Sequence, residues 1–161
     1  MTTTEKHDYN ITGASGEFFV AAELSRRNII ATLTIKNTPQ IDVIATSLKN
    51  GMSANLQVKT KAERNKQGWK LNSKIDIPSE IKNHFYVFVD LHDPKALPEY
   101  YIIPNNIFAN FSEKKHKTWL SITGRDGKEH KDNSVRNFKP YTNDKAFAEK
   151  YRNNWEILSL F

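Results

Sequence analysis

The sequence predicts an α/β protein in which helices cover a mixed central sheet. Residues 40–61, QIDVIATSLKNGMSANLQVKTK, contain two strand-like runs around Asn50-Gly51, and this pair is the strongest short signal for a β-hairpin. Residues 84–91, HFYVFVDL, form a continuous apolar run, which is typical of a strand buried on both faces. Helical patterns over 13–28 and 144–158 supply the covering layers.

The first predicted helix spans residues 13–28 and is rich in Ala, Leu, Arg and Glu. Ser15 is the predicted N-cap, and Glu17 lies in the first turn. The apolar stripe that should face the core runs from Glu17 through Val20 to Leu24. A carboxylate therefore heads the face that we expect to be buried.

The hairpin places three polar side chains on one face of its two strands. A two-residue turn at Asn50-Gly51 would set Asp42 directly opposite Lys59. Because side chains alternate along a strand, Gln57 would project from the same face. A carboxylate, a carboxamide and an ammonium are thus predicted to converge.

The remaining elements are predicted from shorter patterns. They comprise strands over 29–36, 84–91 and 100–103, one helical turn over 78–83, and helices over 105–111 and 144–158. Residues 69–71 could form either a short strand or an aromatic plug. Residues 113–142 carry no clear periodicity beyond a turn signal at 125–127.

Composition narrows the class of protein. The 161 residues suit one domain with a true core, and cysteine is absent, which excludes a disulfide framework and a thiolate site. There is no run long enough to cross a bilayer and no secretory pattern at the N-terminus, so we expect a soluble, cytoplasmic protein without membrane contact.

The positive charge is concentrated in two segments. The chain carries a formal charge of +6, while residues 57–82 hold seven Lys and Arg against three acids and residues 113–139 hold eight against four. Such segments suit nucleic acid, although a solvated basic face without a partner is an equally ordinary reading. The side chains predicted to contact nucleic acid are Lys61, Arg64, Lys66, Lys70, Arg125 and Arg136.

The hairpin residues fit the chemistry of phosphodiester hydrolysis. Mg²⁺ prefers oxygen ligands, which the Asp42 carboxylate, the Gln57 amide and the Val58 backbone carbonyl could provide. Lys59 would supply the cation that stabilises the transition state. Glu17 would bring a second carboxylate if its helix packs beside the hairpin.

The order of these residues resembles the core of the PD-(D/E)XK nuclease superfamily. A helix carrying Glu17 precedes Ile41-Asp42, and the hairpin then leads to Gln57-Val58-Lys59. GASGEFFVAAEL is similar to the first helix of the Holliday-junction resolvase and Mrr-type restriction branches. Ile41 stands where the common pattern has proline, and Gln57 stands where it has a second acid, a variant similar to that of some Mrr-like members.

The resemblance implies a restriction-endonuclease-like αβββαβ core. It places that core over 13–103 and an extension over 104–161 within one domain, after a flexible N-terminus over 1–12. It also implies cleavage of double-stranded DNA with Mg²⁺, for which Mn²⁺ can substitute, by Glu17, Asp42, Gln57 and Lys59. A homodimer follows by analogy only.

Other readings of the same residues stay open at this point. Asp42 and Lys59 could form an ordinary surface ion pair. A neutral Gln57 would bind Mg²⁺ more weakly than an acid, which leaves an inactive nucleic-acid-binding module as an alternative. A protein-interaction domain with exposed Tyr100 and Tyr101 is a third.

Two further patterns carry less weight. His116, His130 and Asn133 lack the spacing of a histidine-based nuclease, and Trp119 could either stack on bases or belong to the core. Whether DNA or RNA is bound is not specified by these patterns.

Overall fold

The computed structural model describes residues 8–35, 38–62, 67–124 and 127–161. Their helices are α1 (Tyr9–Ser25), α2 (Asn105–Leu120) and α3 (Lys145–Ala148), with 3₁₀ turns at Ser73–Asp76, Glu149–Tyr151 and Trp155–Leu158. The strands are β1 (Ile29–Leu33), β2 (Val43–Ser47), β3 (Ser53–Lys61), β4 (Trp69–Asn72), β5 (His84–Asp90), β6 (Glu99–Pro104) and β7 (Val135–Phe138). No helix in these described ranges is both long and apolar enough to cross a bilayer.

A five-stranded sheet organises the chain, in the order β1-β2-β3-β5-β6. Only the β3–β5 pair is parallel, so the sheet is mixed as predicted. α1 packs on one face, against β1 and β3. The opposite face is covered over β5 and β6 by an aromatic cluster that includes residues of α2 and of a two-stranded β4–β7 ribbon.

The interior strand β5 is buried along its whole length, as the apolar run predicted. Its side chains divide between two cores. Val87 and Val89 pack beneath α1 with Leu56, while Tyr86 and Phe88 join the aromatic cluster on the other face. Because it is buried on both faces, β5 lies in the interior of the sheet, where it pairs with β3.

The first helix begins earlier than predicted. Asp8 is its N-cap, accepting a hydrogen bond of 2.7 Å from the backbone N–H of Asn10, so Ser15 lies inside the helix and not at its start. Residues from Tyr9 to Thr12 are therefore helical although they were assigned to the flexible N-terminus. The helix approaches β3 most closely at Gly16, where an added Cβ would lie 1.9 Å from the Thr60 hydroxyl.

The hairpin turn also differs from the prediction. β2 and β3 are joined by the four residues 48–51, because the Ser47 N–H bonds to the Met52 carbonyl at 2.9 Å and the Gly51 N–H bonds to the Ser47 carbonyl at 3.0 Å. Gly51 alone takes positive φ, at 70°, whereas a type I′ turn would require it of Asn50 as well. Val43 consequently pairs with Leu56, which shifts the predicted register by two residues.

The C-terminal segment is not the single helix that its aromatic spacing predicted. α3 and a 3₁₀ turn end at Tyr151, after which Arg152 forms a β-bridge with Tyr101. The Asn153 N–H donates to the Tyr100 carbonyl at 2.7 Å. β6 is an edge strand, and residues 152–153 provide hydrogen-bond partners for its exposed backbone, which is why the helix does not continue through them.

Two predicted helices changed length or position. The helix expected over 105–111 continues to Leu120, and the turn expected over 78–83 is replaced by the earlier 3₁₀ turn at Ser73–Asp76. The connection from β3 to the parallel strand β5 thus runs through β4 and this turn. Asn72 caps the turn by accepting from the Lys74 N–H at 3.0 Å.

Candidate active site at the end of the hairpin

Asp42 lies at a bulge where the hairpin ladder opens. Its backbone N–H donates to the Leu56 carbonyl at 2.8 Å, although Leu56 is already paired with Val43. Two residues therefore lie opposite one, the arrangement of a β-bulge, which often redirects a side chain beside an active site. The Asp42 Oδ2 accepts a 2.7 Å hydrogen bond from the Val58 N–H, so the carboxylate points at β3.

Gln57 and Lys59 share the face of β3 that α1 does not cover. Both are half-buried, while Ala54, Leu56 and Val58 alternate with them and fill the core beneath the helix. Because Gln57 and Lys59 lie two positions apart on one strand, they project from the same face whatever the register of the hairpin. The predicted convergence of Gln57 and Lys59 on one face is thus retained.

Asp42 and Lys59 influence each other electrostatically. Burial lowers the pKa of Lys59, and the negative charge of Asp42 opposes part of that change. The Lys59 backbone is also fixed, since its carbonyl accepts a 2.7 Å hydrogen bond from the Trp69 indole N–H. The ammonium is therefore partly desolvated, on a strand whose backbone is held in place.

His84 is a neighbour of this site that the sequence analysis did not identify. It is 6% exposed, and its Nε2 lies 2.9 Å from the carbonyl of Gln40, two residues before Asp42. Burial lowers its pKa, and the Gln40 carbonyl and the Asp42 charge oppose that change. Only its position at the start of an apolar run could have drawn attention to it, since no motif includes it.

A groove of about 880 Å³ opens over Gln57 and Lys59. Its walls come from β4, the 3₁₀ turn after it, and the segment before β5. The described residues that line it include Lys70, Asn72, Lys74, Ser79, Tyr86 and Asn105. The groove therefore combines two exposed lysines with the half-buried Lys59 at its floor.

Glu17 lies on α1, which covers the opposite face of the sheet. The buried line of α1 runs through Thr12, Gly16, Val20 and Leu24, so Glu17 is one position off that line and half-buried. It follows the Gly16 contact with Thr60, which puts it near the Lys59 end of β3, but it does not line the groove.

The carboxylates and histidines alone do not form a metal centre. Within the ranges that the structure describes, no three His, Cys, Asp or Glu side chains are placed to hold one ion. A cation beside Asp42 would depend on the Gln57 amide and the Val58 carbonyl, the neutral oxygens that the sequence predicted as ligands.

Two of the predicted nucleic-acid contacts lie in the interior. Lys61 is 5% exposed, forms an ion pair with Asp90 and lies 5.4 Å from the centres of the Trp69 and Tyr141 rings. Arg136 is 9% exposed and donates to the Asp76 carboxylate at 2.6 Å. These positions contradict a phosphate contact, because the side chains already serve buried carboxylates.

The other predicted contacts divide into two groups. Lys70 is exposed at the rim of the groove, where a phosphate could reach it. Arg64, Lys66 and Arg125 fall outside the described residues.

The chain shares its fold with a homing endonuclease of known structure. No family model matches it, and no curated protein matches its sequence. The structure of the bacterial homing endonuclease I-Ssp6803I superposes with a TM-score of 0.58 at 11% identity, covering 94% of this chain and 93% of that one. The fold is restriction-endonuclease-like. At this identity the likeness establishes the fold alone, and it confirms the predicted fold class.

The remaining aromatic predictions resolve into packing roles. Tyr100 and Tyr101, expected as exposed interaction residues, are 4% and 2% exposed, which removes them from any docking surface. Trp119 stacks on His130 at 4.0 Å between ring centres, and His116 lies 2.7 Å from the Asp132 carboxylate. The histidines thus form a small cluster on α2 and the following loop, away from Asp42.

Proposed function

We propose that this protein is a Mg²⁺-dependent endonuclease that hydrolyses DNA at the site formed by Asp42, Gln57 and Lys59. The observation that carries the proposal is the electrostatic interaction of the Asp42 carboxylate with the partly desolvated Lys59 ammonium, where Lys59 and Gln57 line a groove that also carries exposed lysines. An exposed ion pair would need neither the bulge at Asp42 nor the burial of Lys59.

The oxygen donors fit a hard divalent cation. Asp42 uses Oδ2 to accept the Val58 N–H, and among the described residues its carboxylate makes no other hydrogen bond or ion pair. In an antiparallel ladder, the N–H and C=O of one residue point toward the same neighbouring strand, so the Val58 carbonyl points toward Asp42 as well. With the Gln57 amide oxygen, this gives three oxygen ligands of the kind that Mg²⁺ accepts.

The metal ligands and Lys59 would have different roles in phosphodiester hydrolysis. Mg²⁺ held by these oxygens would polarise the phosphate and supply an activated water. Lys59 would donate hydrogen bonds to the phosphate oxygens as negative charge develops on them. Because its ammonium is poorly hydrated, Lys59 interacts with that charge more strongly than a solvated lysine would.

Double-stranded DNA is the substrate that best suits the groove. Lys70 and Lys74 are exposed on its walls, and with Lys59 the described lining carries three lysines against one acid, Glu80. The neighbour of similar fold is a homing endonuclease, which supports DNA as the polymer cut.

The proposal is tested with supercoiled plasmid and purified protein. We expect nicking or linearisation with Mg²⁺ or Mn²⁺, no cleavage in EDTA, and loss of cleavage in Lys59→Ala. DNA binding should persist in EDTA and weaken with salt. Binding without cleavage under either metal would overturn the enzyme and favour the non-catalytic DNA-binding module that Gln57 suggests. Absence of binding even at low salt would overturn both.

We also propose a homodimer formed through the outer face of α1. That face carries Ile11, Ala14, Ser15, Phe18 and Ala22, with Ile11 68% and Phe18 63% exposed and no charged side chain among the five. A helix that is apolar on both sides is expected to be covered on both.

A second copy of the same helix matches this surface. Phe18 is a large knob surrounded by the small residues Ala14, Ser15, Ala21 and Ala22 at three and four positions on either side, so two antiparallel copies are self-complementary. Sedimentation equilibrium should show a dimer that Phe18→Glu dissociates. A monomeric wild-type protein at the concentrations used for cleavage would contradict this assembly.

A further inference from the structure

The β4–β7 ribbon presents a polar face that the core does not use. Trp69, Arg136 and Phe138 point inward, whereas Lys70, Asn72, Val135 and Asn137 are exposed along the outer face. Lys70 pairs directly with Asn137, and Asn72 pairs with Val135. Two neighbouring cross-strand pairs therefore form one continuous outer surface.

Lys70 and Asn137 are available to an external ligand. Within the described ranges, Lys70 has no ion-pair partner, and the Asn137 side-chain amide makes no hydrogen bond. Asn72, by contrast, is occupied in capping the following 3₁₀ turn. The backbone carbonyl of Asn137 accepts a 2.8 Å hydrogen bond from the Lys115 ammonium, which holds the main chain of β7 in place.

These residue types match the edges of base pairs. The major groove of B-DNA admits a two-stranded ribbon, in which lysine can donate to guanine and asparagine can bond to adenine on two atoms. An apolar side chain such as Val135 can contact the methyl group of thymine. The same surface on a protein partner would be expected to hold large aromatic anchors, and it has none.

The ribbon is joined rigidly to the candidate active site. The Trp69 indole bonds to the Lys59 carbonyl at 2.7 Å, and the Trp69 ring packs against Phe88 and Phe138 at 5.5 and 5.8 Å between centres. Lys70 and Asn72 line the same groove as Lys59 and Gln57. A base contact on the ribbon would therefore fix the position of the phosphate that reaches Lys59.

We infer that the β4–β7 ribbon lies in the DNA major groove and that Lys70 and Asn137 read base edges there, with Val135 against a thymine methyl. This inference rests on the proposed function, because it names the element that selects the DNA at that site. The protein is then a sequence-selective nuclease, and its selectivity resides in residues separate from those that cut.

The test selects bound sequences from duplexes with a randomised central segment, in EDTA so that cleavage does not deplete the pool. We expect the wild-type protein to enrich a defined sequence. Asn137→Thr, which introduces a better strand former, and Lys70→Ala should each lose roughly tenfold or more of the preference at one or two base pairs. Asn110→Ala, on the exposed surface of α2, is the matched control and should select the wild-type sequence.

The outcomes separate the inference from the function on which it rests. Enrichment of the same sequence by wild type, Asn137→Thr and Lys70→Ala overturns the ribbon as the reading element. Binding of DNA by the wild type with no enriched sequence also overturns it, while leaving the nuclease proposal intact. Failure of the wild type to bind any duplex, although its thermal unfolding is cooperative, would overturn the proposed function itself.

Discussion

The backbone N–H of Val58 donates its hydrogen bond to the carboxylate of Asp42 and not to a main-chain carbonyl of the neighbouring strand. The bulge makes this possible, since Asp42 and Val43 both lie opposite Leu56. The acidic side chain thus completes the sheet where β2 begins. Its position is set by the backbone of β3, the same strand that carries Gln57 and Lys59.

Replacing Lys59 should separate activity from stability. Lys59→Met removes the cation that faces the phosphate, so we expect the nicking rate to fall by roughly 100-fold or more. The free energy of unfolding should be unchanged or higher, because burial disfavours the ammonium and thereby lowers its pKa. Nicking assays and urea unfolding at pH 7 measure the two effects.

The sign of the pH dependence follows from the same pKa. Between the lowered pKa of folded Lys59 and the ordinary value of 10.5, the unfolded chain binds the proton more tightly. The wild-type protein should therefore gain stability relative to Lys59→Met as the pH rises toward that value. If the wild-type protein instead lost stability relative to Lys59→Met over that pH range, the folded protein would stabilise the charged form of Lys59, which would contradict this prediction.

Gln57→Glu should increase the affinity of the site for Mg²⁺. A carboxylate in place of the amide adds charge to the ligand set, so half-maximal nicking should require less Mg²⁺. Ser53→Glu puts the same charge on the same face of β3, four residues away, and should leave the Mg²⁺ requirement unchanged. An unchanged or higher requirement in Gln57→Glu would indicate that this side chain does not face the cation.

The two glycines of α1 should respond to alanine in opposite directions. At Gly16 the new Cβ would lie 1.9 Å from the Thr60 hydroxyl and 2.9 Å from its Cβ, so Gly16→Ala should destabilise the protein by about 1–3 kcal/mol. At Gly13 no atom lies within 4 Å, and the better helix propensity of alanine should stabilise it by about 0.5–1 kcal/mol. Denaturant unfolding of both variants provides the comparison, and equal effects would contradict the close contact between α1 and β3.

Removing Lys61 should destabilise the protein but should not remove a DNA contact. Its Asp90 partner is 1% exposed and also accepts a hydrogen bond from the Tyr141 hydroxyl, whose pKa is raised by burial and by Asp90. Lys61→Met leaves this carboxylate uncompensated, at a cost of about 3–5 kcal/mol. The double variant Lys61→Met/Asp90→Leu should recover most of the stability and bind DNA like the wild type. Weaker DNA binding by a fully folded double variant would restore Lys61 to the nucleic-acid surface.

The fold could be predicted largely because its strongest signals are local. The run from His84 is apolar at every position, and such a strand can only lie in the centre of a sheet. The boundaries of α1 could not be predicted in the same way, since Asp8 as N-cap competes with Ser15 and nothing in the residue types alone ranks them.

Gln57 and Lys59 were correctly predicted to share a face although the predicted hairpin turn was wrong. The Asn50-Gly51 pair suggested a two-residue turn, whereas four residues make the loop, and the register moved by two. Gln57 and Lys59 lie two residues apart on one strand, so they point the same way in either register. The position of the Asp42 side chain depends on the bulge, which no residue pattern indicates.

The basic residues were harder to assign, because charge does not reveal burial. Lys61 and Arg136 lie in basic segments, yet each pairs with a buried or half-buried carboxylate that is distant in sequence, Asp90 or Asp76. Lys61 meets Asp90 because β3 and β5 pair in parallel, and Arg136 meets Asp76 where β7 lies beside the 3₁₀ turn. His84 was missed for the same reason, since only the folded sheet brings it near Asp42.

The central claim is tested most directly by the rate at which Asp42→Asn nicks supercoiled plasmid in Mg²⁺. The asparagine keeps a side-chain oxygen that can accept the Val58 N–H, so the hairpin should fold as before while the negative ligand is lost. We predict wild-type thermal stability, retained DNA binding and a nicking rate reduced to background. Wild-type nicking by Asp42→Asn would contradict the assignment of Asp42, and with it the active site described here.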